Sequence, residues 1–184
     1  MTSLVLTLIG PDRPGLVEAV AEVIAREGGN WLESRMAHLA GKFAGVLRAE
    51  VPEARAAAVV EALGRLESRG LRVVVEIAGS AAAAGAAAGG ERRAMDLELV
   101  GLDRPGIVRE ISQLLAAHAV NVEELATDRS SAPMSGEMLF RARARVHVPA
   151  GADLARLRAG LERLANDLVV EIRLADSAAT AVTG

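Results

Sequence analysis

The apolar residues at the start of the chain follow two periods in succession. Residues 4–9 alternate between leucine and other residues, which is typical of a strand buried on one face and at least partly covered on the other. Helical spacing follows, and it predicts a helix that Asp12 caps, that contains Pro14 in its first turn and that ends at Gly28 and Gly29. Its buried face is predicted to consist of Leu16, Val20, Val23 and Ile24.

Four further elements follow this first strand and helix. Residues 32–39 and 43–51 predict two strands joined by a tight turn at 40–42. Apolar positions at helical spacing predict a second helix over 54–69, and alternation over 71–77 predicts a last strand. The order of elements is therefore βαββαβ.

The chain contains an internal repeat. Residues 10–17, Gly-Pro-Asp-Arg-Pro-Gly-Leu-Val, recur 91 positions later at 101–108 as Gly-Leu-Asp-Arg-Pro-Gly-Ile-Val. The same offset carries Asn30 onto Asn121, so the helix between the motif and this Asn has one length in both copies. The second copy is longer after its Asn, and we place the insertion in a loop around 130–136.

The second copy predicts the same six elements. They are a strand at 95–100, a helix at 105–117, strands at 122–127 and 138–148, a helix at 152–164 and a strand at 168–174. This order is that of the ferredoxin-like α+β fold, an antiparallel sheet with both helices on one face. The sequence therefore predicts two such domains in tandem.

The segment between the copies differs in composition from both of them. Residues 78–90 consist only of Ala, Gly and Ser, which is typical of a linker. The predicted organisation is a first domain at 1–78, a linker at 79–93, a second domain at 94–176 and a tail, expected to be disordered, at 177–184.

Apolar residues are also predicted on the sheet face that the helices leave open. Val5, Ile9, Val46 and Val74 fall on this face of the first domain. We expect another module to cover it, either the other copy in the same chain or a copy in a second chain of a homodimer.

Charge and composition narrow the class of partner. The chain has 21 basic and 24 acidic residues and a formal net charge of −3, which disfavours direct binding to nucleic acid. Base stacking would have to rely on Phe43 and Phe140 alone. The absence of Cys excludes disulfides and thiolate metal sites and fits a reducing compartment. With no recognisable targeting or membrane-spanning segment, we expect a cytoplasmic protein.

The repeated Asp-Arg-Pro-Gly turn is the strongest candidate for chemistry. Helix capping explains the Asp, the Pro and the Gly, but it does not require the Arg. Unpaired N–H groups at the start of each following helix would also suit the carboxylate of an amino acid. The candidate ligand-binding residues of the two turns are Asp12, Arg13, Gly15, Leu16, Asp103, Arg104, Gly106 and Ile107.

Asn30 and Asn121 are the remaining candidate ligand-binding residues. Each follows the end of a helix, where Asn is also a common turn residue, so a structural role is the simpler interpretation. In a pair of domains, this position can instead face the Asp-Arg-Pro-Gly turn of the partner. A ligand pocket shared between two domains is then possible.

Other polar residues give weaker signals. Arg141, Arg143 and Arg145 alternate along one strand with His147, so the four side chains share a sheet face that suits solvent or an acidic partner. The three histidines lack metal-ligand spacing, and no phosphate loop, nucleophile elbow or carboxylate pair is present. We expect no metal, no cofactor and no enzymatic activity.

The residues quoted above resemble a known family. Residues 6–15, followed by Asn-Trp-Leu-Glu-Ser-Arg-Met-Ala at 30–37, resemble the ACT domain, and specifically the tandem-ACT proteins of the glycine cleavage system transcriptional repressor family. The resemblance implies a small cytoplasmic regulator without a DNA-binding domain, which modulates glycine-dependent gene expression by contacting a separate DNA-binding activator. The turn alone also occurs in regulatory ends of metabolic enzymes, including formyltetrahydrofolate deformylase.

The resemblance also implies where a ligand would bind. ACT domains that bind amino acids commonly use this turn and a residue equivalent to Asn30, across a pair of domains. Such members often have Asn at the positions of Asp12 and Asp103, where a carboxylate would suit the ammonium of a ligand better than its carboxylate. Two alternatives remain open: a purely structural module that oligomerises, and a regulatory subunit of a metabolic enzyme.

Overall fold

The structure is a computed structural model that describes residues 1–78, 92–132 and 136–177. The chain divides into two compact units, Met1–Ala88 and Gly89–Gly184. Each unit contains one copy of the repeat.

The first unit has the predicted order of elements. Its elements are β1 (Thr2–Pro11), α1 (Leu16–Arg26), β2 (Asn30–Leu39), β3 (Lys42–Val51), α2 (Ala56–Gly64) and β4 (Arg72–Ala78). Short 3-10 turns, Glu53–Arg55 and Arg65–Arg69, extend α2 at both ends, so the helical segment spans what the apolar spacing predicts.

The second unit repeats this order. Its elements are β5 (Arg92–Leu102), α3 (Ile107–Ala117), β6 (Asn121–Ser131), β7 (Met138–Pro149), α4 (Leu154–Leu168) and β8 (Val170–Asp176).

Both sheets have the strand order of the ferredoxin-like fold. The first is ordered β2-β3-β1-β4 and the second β6-β7-β5-β8, and every neighbouring pair is antiparallel. The second strand of each copy is an edge strand, and the first lies in the centre of its sheet. The predicted α+β class and tandem ferredoxin-like folds are confirmed.

The spacing of apolar residues along the sequence determines which side chains form the core. Leu4, Leu6 and Leu8 of β1 are at most 1% exposed and pack against the predicted apolar face of α1. Each buried leucine contributes about 1.5–3 kcal/mol through removal from water. In the second domain Met95, Leu99 and helix α3 form the corresponding core.

The predicted cap of the first helix is wrong. Helix α1 begins at Leu16 rather than near Asp12, and its N-cap is Gly15, whose φ of 88° lies in the left-handed region. No side chain caps this helix, and Pro14 lies in the turn before it. The backbone N–H of Asp12 instead donates to the carbonyl of Gly41 at 3.0 Å. The left-handed residue separates Asp12 from the N–H groups that it would have to cap.

Several predicted boundaries also move in the second copy. Helix α3 begins at Ile107 rather than 105, and α4 continues one turn past 164 to Leu168. Strand β6 continues to Ser131, so the inserted residues lengthen this edge strand as well as the loop. Residues 133–135 of the predicted insertion lie outside the described residues.

The predicted domain bounds remain predictions because most of the intervening segment, 79–91, lies outside the described residues. Arg92 and Arg93, which composition assigned to the linker, belong to strand β5. The predicted tail also lies outside the described residues from 178 onwards. Its first residue, Ser177, donates its backbone N–H to the carbonyl of Ala94 at 3.1 Å.

The open sheet faces of the two domains differ in chemistry. In the first, Thr7 lies between Val46 and Val74, which are 49% and 54% exposed. In the second, the corresponding row is Arg143, Glu98 and Arg173. Exposed aliphatic side chains support the prediction that another module covers the first face. The charged row of the second face gives no such support.

Candidate functional site

The Asp-Arg-Pro-Gly turn has the same backbone geometry in both domains. Gly15 and Gly106 have φ angles of 88° and 94°, where glycine avoids the steric cost that a Cβ imposes. The residues that follow them, Leu16 and Ile107, are buried in their cores. The turn therefore has a structural reason for its Gly in each copy.

A cleft of about 240 Å³ lies beside the turn of the first domain. It opens between the start of α1 and the segment that joins α2 to β4. Its apolar wall consists of buried or nearly buried side chains, and two arginines, Arg13 and Arg69, line its polar side. The remaining lining residues are Pro14, Gly15, Leu16, Ala19, Leu66 and Leu71.

The two arginines of this cleft have no acidic partner among the described residues. Within the described part of the chain, neither Arg13 nor Arg69 forms an ion pair, and both are exposed. The Arg13 Nη2 atom lies 3.8 Å from the point that a Cβ on Gly70 would occupy. Gly70 has a φ of 78°, so a side chain there would be strained.

The turn of the second domain is occupied by its own ion pair. The Arg104 Nη2 atom donates to both carboxylate oxygens of Glu110, at 3.2 and 3.0 Å. The offset of the repeat places Ala19 at the position of Glu110, so Arg13 has no such partner. The two copies of the motif therefore differ in one respect: Arg104 is paired with Glu110, whereas Arg13 lacks this pair.

The motif carboxylates bind to the edge strands. The Asp103 Oδ2 atom lies 2.7 Å from Arg129 Nη2, and Asp12 Oδ2 lies 3.6 Å from His38 Nε2. His38 and Arg129 are related by the same offset of 91 as the two Asp residues. In both copies the Asp lies near a side chain of the second strand, a role that the local sequence does not predict.

Asn30 and Asn121 lie far from the turn of their own domain. Asn30 pairs with Glu50, which pairs on its other side with Ser3, so Asn30 lies level with the beginning of β1. The turn follows the end of β1, nine residues later, which is roughly 30 Å along a strand. Asn121 has the same register through His147 and Ala94. A site that uses both the turn and the Asn needs two domains.

The basic side chains of β7 share a face, as the alternation predicts. Arg143 and Arg145 lie 3.5 and 3.6 Å from Glu98 and Asp96 on β5, and all four side chains are at least 38% exposed. These exposed pairs neutralise part of the row that Arg141 begins. The pattern is that of a solvated face rather than of a dedicated anion site.

Among the described residues, no three His, Cys, Asp or Glu side chains are grouped in a way that would hold a metal ion. No helix in that part of the chain has the length and apolar character needed to cross a membrane.

Sequence reasoning missed Arg69 and the apolar wall of the cleft. The difference between Ala19 and Glu110 was visible in the aligned repeat, and it marks the position where the two turns diverge. Arg69 had no such signal, because the second helices of the two copies differ in length and their ends do not align.

Both halves of the chain match family models described as the ACT domain. One model matches residues 2–76 and the other residues 89–171. No curated protein matches the chain.

Solved structures match nearly the whole chain. A protein of unknown function from Galdieria sulphuraria is 26% identical, with a TM-score of 0.83 over 96% of this chain and 99% of that one. A protein proposed to be a glycine cleavage system transcriptional repressor is 19% identical, with a TM-score of 0.67 over 94% of this chain and 95% of that one, and this likeness concerns the fold. The chain consists of two ACT domains in tandem and belongs to the ACT-domain family.

Proposed function

We propose that the protein is a non-enzymatic regulator that responds to an amino acid, with glycine as one candidate. In this proposal it acts on transcription by contacting a separate DNA-binding protein. The observation that carries the proposal is the open cleft beside the turn of the first domain, where Arg13 and Arg69 have no ion-pair partner within the described residues. An unpaired guanidinium is suited to the carboxylate that every amino acid carries.

The proposed partner is a protein rather than a nucleic acid. A net charge of −3 gives the whole chain no attraction to phosphate backbones. The first domain also exposes Val46 and Val74 on its open sheet face, and exposed aliphatic side chains of this kind favour contact with another protein surface. The absence of Cys from the sequence fits the proposed cytoplasmic location.

The ligand site proposed from the family has two halves. One half is the turn, with Asp12, Arg13, Gly15 and Leu16 or their counterparts, and the other is Asn30 or Asn121 of another domain. The register supports this division, since each Asn lies at the opposite end of the sheet from its own turn. Domain pairing, within one chain or between two, would therefore be a condition for binding.

A structural role is the second candidate for the second domain. Arg104 is paired with Glu110 and Asp103 with Arg129, so the polar side chains of that turn already have partners. The charged side chains of this turn are therefore paired without a ligand. In this alternative the second domain oligomerises or contacts a partner, which could be a metabolic enzyme instead of a transcription factor.

Thermal unfolding of the full chain against each common amino acid tests the proposal. A ligand at 100 times its Kd stabilises the folded state by about 2.7 kcal/mol, which raises Tm by roughly 5 °C or more for a protein of this size. We expect a shift with one or a few amino acids, and its reduction in Asn30→Ala or Asn121→Ala. No shift with any amino acid at millimolar concentration would contradict the sensor and leave the structural alternative.

A further inference from the structure

The open sheet face of the first domain has an aliphatic centre. Val46, Thr7 and Val74 form its middle row, and Val5 and Ile9 lie on β1 to either side of Thr7. Val46, Val74 and Ile9 are between 46% and 54% exposed. Aliphatic side chains that adjoin one another on an exposed face are typical of a surface that another protein covers.

The end of this face at the start of β1 is acidic. Glu50 and Glu76 lie in the rows of Ser3 and Val5. Neither carboxylate forms an ion pair with another residue that the structure describes. The arginine in the row of Val5, Arg48, is already paired with a glutamate of β2 at 2.9 Å. This end therefore carries two carboxylates that have no paired cation among the described residues.

The opposite end of the face is basic. Arg72 lies beside Ile9, and Lys42 lies beside Pro11. The Arg72 Nε atom is 3.7 Å from Glu67 Oε1, but both side chains are at least 70% exposed, so solvent screens this pair. Lys42 has no ion-pair partner in the described part of the chain. The two ends of the face thus carry opposite charge, and the aliphatic centre separates them.

This distribution of charge decides how two such faces can pack. If the strands of two copies ran in the same direction, acidic end would meet acidic end and basic end would meet basic end. In the opposite direction, about a two-fold axis along the row of Thr7, Glu76 of each copy lies opposite Arg72 of the other. Glu50 then lies opposite Lys42 in the same way. The face is therefore complementary to itself, as a two-fold interface requires.

The open face of the second domain is a poorer match for this aliphatic centre. Its middle row consists of Arg143, Glu98 and Arg173. Packing that row against Val46 and Val74 would remove three charged side chains from water, which is costly. A second copy of the first domain brings valines to the same place instead.

The size of the face determines how strong such a contact can be. Four strands about 4.8 Å apart, with nine residues of about 3.4 Å each, give roughly 600 Å² per partner. This area is at the lower end for specific interfaces, so we expect a reversible dimer with a Kd on the order of micromolar. Arg35 of β2, level with Thr7 through Val46, lies at the margin, where solvent screens its charge.

We propose that the first domains of two chains pair face to face through their open sheets, with their strands running in opposite directions about a two-fold axis at the row of Thr7. The occupant of the face is a second copy of this chain. Pairing removes the aliphatic centre from water and forms two Glu76–Arg72 and two Glu50–Lys42 contacts per dimer. The inference goes beyond the proposed function and does not depend on an amino-acid ligand.

Sedimentation equilibrium of the full chain, from micromolar to millimolar concentration, tests the pairing. We expect a monomer–dimer equilibrium. Glu76→Arg and Arg72→Glu should each raise its Kd about tenfold or more, because each variant turns two attractive pairs into two repulsive ones. The double variant exchanges the charges and should restore most of the affinity. Glu171→Arg is the matched control, since it makes the same change at an exposed position of β8 in the second domain, and it should leave the Kd unchanged.

Cross-linking tests the direction of the strands. The chain contains no Cys, so a single introduced Cys reports on the distance between equivalent positions of two chains. Facing sheets lie about 10 Å apart, within reach of a short bismaleimide. Thr7→Cys lies on the axis and should cross-link two chains. Ser3→Cys lies four residues from the axis, so its two copies would be roughly 27 Å apart along the strands and should not cross-link.

Several results would overturn the proposal. A chain that stays monomeric at every concentration would leave the face to a different protein or to the second domain. A dimer that Glu76→Arg does not weaken, or that Glu171→Arg weakens equally, would place the contact elsewhere. A double variant as weak as the single ones, or cross-linking of Ser3→Cys as efficient as that of Thr7→Cys, would contradict the two-fold arrangement.

Discussion

The Asp103 carboxylate lies 2.7 Å from the guanidinium of Arg129 and so joins the end of β5 to the edge strand β6. The side chain of Asp103 is 23% exposed and that of Arg129 is 61% exposed, so solvent screens only part of the attraction. Asp12 and His38 make the same connection in the first domain at 3.6 Å, with both side chains about half exposed. The connection is therefore shared, but it is tighter in the second domain.

We expect Asp103→Asn to lower the free energy of unfolding of the second domain by about 0.5–1 kcal/mol, because it removes a partly buried ion pair. A double-mutant cycle with Arg129→Gln, measured by urea unfolding, isolates the interaction of the two side chains. Asp12→Asn is the matched control and should change the stability less. Equal effects at Asp103 and Asp12 would contradict the assignment.

Asp153 caps a helix and Asp12 does not, so replacing each with Ala should change the stability by different amounts. The Asp153 carboxylate accepts a hydrogen bond from the backbone N–H of Arg156 at 2.9 Å and caps α4. Asp153→Ala should therefore destabilise the second domain by about 1 kcal/mol. Asp12→Ala, in a residue that the sequence predicted to be a cap, should cost less than this, as measured by chemical denaturation of both variants.

Two glycines of the first domain should respond in opposite directions to alanine. Gly64 lies at the end of α2 with helical dihedral angles, is exposed, and has no atom within 4 Å of the point that a Cβ would occupy. Gly64→Ala should raise the stability by about 0.5–1 kcal/mol. Gly15 has a φ of 88°, so Gly15→Ala should lower it by about 1–2 kcal/mol. Thermal unfolding of both variants checks the sign, and a gain at Gly15 would contradict the left-handed turn.

The fold could be predicted because its determinants are local. Alternation at Leu4, Leu6 and Leu8 predicts a strand. The repeat at an offset of 91 allows the order of elements to be predicted separately from each copy, and the two predictions agree. The cap at Asp12 could not be predicted, since the left-handed conformation of Gly15 moves the start of the helix. A local pattern does not distinguish an Asp that caps a helix from one that reaches the next strand.

The candidate site could be predicted only in part for a related reason. The turn and the two Asn residues recur at one offset, so comparison of the copies finds them. Arg69 and Arg13 line the same cleft only because the first domain packs the turn after β1 near the segment before β4, and nothing in the local sequence links the two residues. Residues that meet through tertiary packing leave no spacing to detect.

The open sheet face of the first domain has a row of exposed aliphatic side chains. Val46 and Val74 flank Thr7 on the sheet, about half exposed, and the corresponding positions of the second domain are Arg143 and Arg173. Since the same fold accepts arginine in this row, Val46→Arg should have little effect on a domain whose face is free in solution. If another module covers the face, the substitution places a charge in an apolar contact, which is costly.

We expect the face to be covered. If two chains pair through it, Val46→Arg should lower the molecular mass measured by sedimentation equilibrium. If the pairing lies within one chain, Val46→Arg should lower Tm at unchanged mass. Val60→Arg, on the exposed side of α2 at 37% exposure, is the matched control because it adds the same charge to the same domain away from the sheet. Indistinguishable mass and Tm for the two variants would mean that the aliphatic row faces solvent. That outcome would remove pairing through this face as the way in which the turn of one domain meets the Asn of another, which the register requires to come from two domains.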